Sequence, residues 1–349
     1  MSNDYIAFEN VTFFGDVSKT PILSDMSLVI PQDKVTCLLG ASGSGKSTIL
    51  RLISGLLTPH SGTIKLRGQV VSHDNHILLK AEKRKIAFMF QDYALMPFMT
   101  VLDNVLFAVK KIKNKLEEKQ KALQILDDLE LLDYAKKYPT QLSGGEQQRL
   151  ALARAIMQNT DIVMLDEPFS NLDSELRRRL REETLSVLQK HQKTVLMVTH
   201  DPAEAFLSSD HIIYLRDGQI VQSGTPEHIY LQPKNLDVAL FSGAVNILSG
   251  VVKGRYAQTQ IGYLPVTTNI EGHVTVAIRH EGFILKPQDT ALMNAKILKK
   301  EFAGKFYRLT LTYNNYIFVA ELMDYSVNFL NIGDYIALSL RDDAIFVFS

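Results

Sequence analysis

The stretch GASGSGKST, residues 40–48, constrains this chain more than any other. It matches G-x-x-x-x-G-K-[ST] in full and lies between the apolar run VTCLL and the helical pattern KSTILRLISGLL. Glycines in such a loop let successive backbone N–H groups curl around phosphate oxygens without Cβ clashes. Lys46 is then placed to reach the outer phosphates of a nucleotide, and the Ser47 hydroxyl to ligate Mg2+. A chain built around this junction folds as strand, loop and helix on a sheet covered by helices.

Other segments supply that sheet. VTCLLG (35–40), IAFMF (86–90), DIVMLDE (161–167) and TVLMVTH (194–200) are nearly continuous apolar runs, as expected of parallel strands buried on both faces. Helical stretches such as SELRRRLREETLSVLQKH alternate with them. From about 92 to 160 the rhythm breaks. TVLDNVLFAVKK, LEEKQKALQILDDLELL and EQQRLALARAIMQ follow one another with no strand between, and Ala122, Leu126 and Leu129 recur on one apolar face. The pattern predicts a helical insertion. After about residue 240 strand-like segments take over, HVTVAIRHEGFIL, YRLTLTYNNYIFVAEL and DYIALSLRDDAIFVF, separated by Gly, Asn and Asp turns. The expected organisation is therefore an α/β domain over 1–240 and a small all-β domain over 241–349.

Two strand ends carry chemistry. IVMLDE offers Asp166 to hold Mg2+ and Glu167 to polarise a water attacking the γ phosphate. TVLMVTH ends at His200, where the carboxyl ends of parallel strands form a ligand crevice and an imidazole can hydrogen-bond a γ phosphate. LSGGE (142–146) has two readings. Ser143 is a helix N-cap with glycines in the first turn, or the loop is a second anion cradle at a helix N-terminus. The cap alone leaves the second glycine without a role; the cradle uses both.

Taken together, residues 1–240 resemble the ATP-binding cassette (ABC) family. The phosphate loop, LSGGE, IVMLDE and the terminal TH stand in its order and spacing, with Gln91 at its glutamine loop and SNLD, ending at Asp173, at its D-loop. The resemblance implies an α/β P-loop NTPase cassette that takes ATP and Mg2+. Gly40, Ser42, Gly43, Ser44, Gly45, Lys46, Ser47 and Thr48 would hold the phosphates. Ser47, Gln91 and Asp166 would hold the metal, and Glu167, His200 and Gln91 would serve hydrolysis. It further implies a head-to-tail homodimer, in which Ser143, Gly144 and Gly145 reach the γ phosphate held by the partner and Asp173 contacts the partner. An aromatic side chain stacks on the adenine in this family; VTFFG offers Phe14, with Phe13 as the alternative. Glu146 stands where the family more often has glutamine, and Asn171 where alanine is commoner.

The last hundred or so residues resemble the OB-like regulatory domain of importer ATPases, through GAVNILSG, VAIRHEGFIL and GDYIALSLRDDAIFVF, with His280 where that subfamily has proline. FSNLDSELRRRLREE and LLGASGSGKSTILRLISGL look most like ferric-iron importer ATPases, although sulfate, polyamine and sugar importers share much of this text. What this implies is an ATPase subunit at the cytoplasmic face of the inner membrane, driving separate permease subunits fed indirectly by a substrate-binding protein. No apolar run approaches the ~18 residues of a membrane span, so the chain would dock. Leu95, Met96, Phe98 and Met99 form an apolar patch for that purpose, or else the insertion's own core.

Composition bears on the alternatives. Lys and Arg total 38, Asp and Glu 38, so no net charge pulls the chain toward nucleic acid or anionic lipid. MSNDYIAFEN reads as no signal peptide, and the single cysteine, Cys37, fits a reducing compartment. KILKKEFAGKFYRLTLTY interleaves Lys299, Lys300, Lys305 and Arg308 with Phe302, Phe306 and Tyr307, a pattern that on an OB-like barrel can stack bases. Charge balance and the single cassette favour a solvated strand face instead, so no nucleic-acid partner is expected. A guanine-reading N-K-x-D motif is absent, and a kinase or GTPase would leave the LSGGE helix idle.

Overall fold

A computed structural model describes residues 4–15, 20–90, 92–109, 114–158, 160–169 and 174–349. Contacts divide it into two units, Met1–Pro226 and Glu227–Ser349. In the first unit the strands are β1 (Asp4–Phe14), β2 (Pro21–Pro31), β3 (Val35–Leu39), β4 (Ser61–Leu66), β5 (Gln69–His73), β6 (His76–Ile77), β7 (Ile86–Met89), β8 (Ile162–Asp166), β9 (Thr194–Thr199), β10 (His211–Arg216) and β11 (Gln219–Gly224). Its helices are α1 (Lys46–Ser54), α2 (Val101–Phe107), α3 (Lys115–Asp128), α4 (Gly144–Met157), α5 (Ser174–Lys190) and α6 (Pro202–Ser208).

The apolar runs form the central sheet, in the order β11-β10-β3-β9-β8-β7. β10, β3, β9, β8 and β7 are parallel; β11 closes one edge antiparallel after a β10–β11 hairpin. Every residue of β9 is buried. Such strands have no solvent face, which is why they lack alternation. A second, antiparallel sheet, β2-β1-β4-β5-β6, shares the core: Ile6, Phe8, Leu28 and Ile64 cluster with Leu38, Ile49, Met164 and Val198.

α1 ends at Gly55, and its last carbonyls meet a buried cation. Arg84 is fully buried and donates to Leu52 O, Ile53 O, Leu79 O, Val71 O and Ser72 Oγ at 2.7–3.2 Å. Burial pulls its guanidinium down to about 10, still charged at neutral pH. The helix whose amino end carries the phosphate loop is thus anchored by the fork at its carboxyl end.

Helices α2, α3 and α4 pack on one another as the insertion, burying Val101, Val105, Ala122, Ile125, Leu126 and Leu150. Thr100 and Asn114 cap α2 and α3 through their side chains. Ahead of α2, the buried Asn104 amide accepts from Met96 N and donates to the carbonyls of Met96, Met99 and Thr100. This clamp fixes the loop that carries Phe98, which is 72% exposed, while Leu95, Met96 and Met99 are half-buried.

The second unit begins with α7 (Pro226–Leu231) and α8 (Leu236–Ser242). Its strands are β12 (Val245–Lys253), β13 (Tyr256–Thr259), β14 (Gly262–Pro265), β15 (Gly272–Arg279), β16 (Phe283–Leu285), β17 (Met293–Phe302), β18 (Tyr307–Tyr313), β19 (Tyr316–Leu322), β20 (Tyr335–Leu340) and β21 (Ile345–Phe348). They pair antiparallel in two sheets, β14-β13-β12-β15-β21 and β16-β20-β17-β18-β19, over one core that includes Leu248, Val276, Ile297, Leu309 and Phe318. The contact boundary falls at Pro226/Glu227, earlier than the residue 241 expected from composition. On the β side of that boundary Arg279, 1% exposed, donates to Tyr230 O, Ala239 O and Ser242 Oγ and ties α7 and α8 to β15, while Ala239 packs with Ala277 and Phe346.

The basic strand pair is largely self-satisfied. Lys300 Nζ donates to Val327 O, Asn328 O and Leu330 O, Arg308 pairs with Glu321 at 2.7 Å, and Lys299 pairs with Glu301 at 2.9 Å. Tyr307 is buried, with its hydroxyl on Asn328.

Candidate active site

Adjacent parallel strands bring the chemistry to one edge. β3, β9 and β8 are neighbours, with Leu39 beside Thr199 and Val198 beside Asp166. The phosphate loop, His200 and Asp166–Glu167 therefore leave the sheet side by side at its carboxyl end. Gln91 and Asp173 lie outside the described residues.

Three glycines of the loop are required by local geometry, Gly43 by its φ of +83° alone. Gly45, the N-cap of α1, has φ +97°, and a Cβ there would also stand 2.6 Å from Leu23. At Gly40 a Cβ would stand 2.2 Å from Leu215 O on β10. Between them Ser42 and Gly43 are exposed, and Ser44 is buried with an Oγ that has no hydrogen-bond partner among the described residues. Thr48 is half-buried one residue into α1 after Ser47. Lys46 is 5% exposed, and its Nζ donates to Gly40 O at 2.8 Å and Ala41 O at 2.9 Å. Burial lowers its pKa; the nearby Glu167 and Asp166 carboxylates act the other way. The loop folds around its own ammonium, with a buried hydroxyl to spare.

Ser47 Oγ donates to Asp166 Oδ1 at 3.2 Å. Burial raises the Asp166 carboxyl above the ordinary range, Ser47 opposing it. A hydroxyl and a carboxylate oxygen so close together are hard donors that fit Mg2+ alongside phosphate oxygens and water. Glu167 has φ +46°, outside the comfortable region for a non-glycine residue, and its N–H donates to Val198 O at 3.1 Å. That turn sends its Oε1 to within 3.3 Å of His200 Nδ1. Glu167 and His200 were both expected here; their direct pairing was not.

Upstream, Phe14 N–H donates to His60 Nδ1 at 3.2 Å, and the imidazole stands edge-on to the Phe13 and Phe14 rings, 5.3 and 5.2 Å between centroids. Phe13 packs against the central core cluster, which does not include Phe14. Sequence reasoning passed over His60, which no motif marks.

At LSGGE the helix cap is formed. Ser143 caps α4, accepting from Glu146 N, and the Glu146 carboxylate accepts Ser143 N–H at 2.7 Å and the Ser143 hydroxyl at 2.9 Å. This capping box was legible as S-x-x-E. Gly145 has a packing reason, since a Cβ there would come within 3.2 Å of Leu180 on α5; at Gly144 it would meet nothing within 4 Å. The second glycine therefore does not need the anion to explain it, as the sequence had suggested; Gly144 is the one left open.

The chain resembles known proteins over most of its length. Residues 23–170 match the family model described as ABC transporter. The chain is 37% identical over 329 residues to a protein named Fe(3+) ions import ATP-binding protein FbpC 2 from Pectobacterium atrosepticum, covering 93% of this chain and 94% of the relative. It is 40% identical over 285 residues to the spermidine/putrescine import ATP-binding protein PotA of Pasteurella multocida, covering 79% and 74%. Among solved structures, the ATP-binding cassette MJ0796, dimeric in a post-hydrolysis state with ADP and Pi, superposes with a TM-score of 0.55 at 32% identity, covering 63% of this chain and 98% of that one.

Proposed function

Because the chain belongs to the ABC transporter family and carries its ATP-hydrolysing cassette, we propose that it powers import of ferric iron through separate membrane permease subunits. Two copies would meet head to tail, each ATP lying between the phosphate loop of one and the LSGGE loop of the other. The observation that carries the hydrolytic part is the cluster Lys46, Ser47, Asp166, Glu167 and His200 at the carboxyl ends of three adjacent strands.

In this reading the loop from Gly40 to Thr48 binds the phosphates, and Lys46 exchanges its two loop carbonyls for phosphate oxygens. Ser47 and Asp166 hold Mg2+, with Gln91 as a further ligand; the cation neutralises charge on the β and γ phosphates when bound. Glu167 takes a proton from the attacking water, and His200, already on Glu167 Oε1, holds that carboxylate toward the γ phosphate. Asp173 meets the partner chain. Phe14 stacks on the adenine and Phe13 does not, since Phe13 is engaged by the core.

No helix among the described residues is long and apolar enough to cross a membrane, which supports a peripheral subunit docked at the cytoplasmic face. The exposed Phe98 on its Asn104-clamped loop offers one apolar contact for a permease. A cleft of about 680 Å3 lined by Glu82, Lys85, Phe107, Lys121 and Arg154 offers a second, charged one. The β unit, which we read as an OB-like regulatory domain, has no assigned ligand. Ferric iron as cargo rests on likeness to relatives named for it; polyamine or sulfate is the alternative, since relatives named for those match at similar identity. The test is reconstitution with the cognate permease. ATPase stimulation by a ferric-loaded binding protein is expected, and stimulation only by a polyamine- or sulfate-loaded binder would replace iron.

A further inference from the structure

We propose that Glu146 is a brake on closure of the two-chain site, holding the LSGGE loop in a self-neutralised state; this rests on the head-to-tail reading above. Its carboxylate takes both the N–H and the hydroxyl proton of Ser143. The Tyr134 hydroxyl bonds the same carboxylate and Arg149 lies nearby, with its own guanidinium shared between Glu130 at 3.1 Å and Glu183 at 3.6 Å. The group is therefore anchored as an anion at the third residue of α4.

Two consequences follow for a phosphate approaching Ser143. A hydroxyl has one proton to give. While Glu146 accepts it, Ser143 turns only lone pairs toward an incoming oxygen, and these repel it. The amino end of α4 also carries roughly half a positive charge, and a full negative charge in its first turn cancels that attraction. The space over Gly144 is open, since a Cβ there would meet no atom within 4 Å. The obstacle is electrical: closure requires the Ser143 proton to leave Glu146 and a polyphosphate to settle beside a carboxylate.

Glutamine at this position reverses both effects. Its carbonyl still accepts Ser143 N–H, so the cap and the fold are retained. Both Ser143 donors rest on the one oxygen Oε2; a neutral amide carbonyl in its place holds the hydroxyl proton less tightly than a carboxylate does, so phosphate can take it, and the charge is gone. Glu146 is thus a residue that sets the affinity of one subunit for the nucleotide held by its partner, without itself touching the reacting atoms.

The experiment compares the full-length Glu167→Gln chain with the double variant Glu146→Gln/Glu167→Gln by sedimentation velocity, with ATP and Mg2+. The double variant is expected to dimerise with a dissociation constant about tenfold lower, the scale of one regained charge-assisted hydrogen bond. The gap should narrow between roughly 50 mM and roughly 500 mM NaCl, because part of it is screened repulsion. Equal or weaker dimerisation of the double variant overturns the brake and leaves the sandwich standing. If neither protein forms ATP-dependent dimers, with permease subunits present as well as without, the sandwich fails and the brake with it.

Discussion

Replacing Arg84 by methionine tests how α1, and with it the phosphate loop, is held. Burying a guanidinium without a carboxylate is costly, and an apolar residue of similar length would be neutral or stabilising if that cost dominated. The acceptors decide the sign. Val71 O keeps the N–H groups of Leu78 and Leu79, and Leu52 O keeps that of Gly55. Ile53 O and Leu79 O lose the donor Arg84 gives them, and Ser72 Oγ loses its partner. Each buried group left unpaired costs about 1–3 kcal/mol. Three such losses, reduced by the relief of the buried charge, leave a net destabilisation of about 3–4 kcal/mol. For a unit of this size that lowers the melting temperature by about 10 °C, at about 2–4 °C per kcal/mol. Arg84→Lys, which keeps the charge but not the planar fork, should fall between. Differential scanning calorimetry of the full chain measures it. A methionine variant melting with or above the parent would show that the carbonyl network is not what holds α1.

Other outcomes are as specific. Glu167→Gln should lower kcat by about 10²–10⁴-fold with ATP binding retained, read by phosphate release against equilibrium binding; turnover within a few-fold of the parent would remove Glu167 as the base. Phe14→Ala should raise the KM for ATP with little change in kcat or melting temperature, while Phe13→Ala should chiefly lower the melting temperature; the opposite pattern would exchange their roles. Burial raises the Glu204 carboxyl, which sits at 5% exposure with Thr199 donating to it. A folded-state pKa above the unfolded one gives stability that is present below the unfolded value, near 4.3, and lost as pH rises through the raised value. Glu204→Gln should therefore be more stable than the parent at pH 8 and lose that advantage at pH 4; an advantage independent of pH would point to packing instead.

The strands β3, β7, β8 and β9 were legible because burial on both faces leaves an uninterrupted apolar run, and the phosphate loop because its glycines and lysine have few other uses in that context. The antiparallel sheet β2-β1-β4-β5-β6 was harder to see. Its strands are broken by register shifts, as between Phe8 and Val11, so alternation does not persist. Arg84 and Arg279 were invisible for a different reason. Their value lies in carbonyls from distant segments, which no local pattern announces. Glu167 and His200 stand 33 residues apart, and only the pairing of β8 with β9 brings them into contact. The Ser143–Glu146 box, by contrast, was written in four consecutive residues; weighing SGGE as cradle against cap drew attention to its glycines and away from Glu146.

Arg279 also bears on how this chain can be cut and recombined. With its guanidinium over the Tyr230 ring, 4.2 Å from the centroid, and three bonds into the segment 230–242, it makes two short helices part of the β module. A fragment starting at residue 241 would inherit an internal cation stripped of two of its acceptors, whereas one starting at 227 carries the whole set. A graft of this module onto another cassette therefore has its natural splice site at Pro226/Glu227, where the chain can change owner without leaving a charge behind.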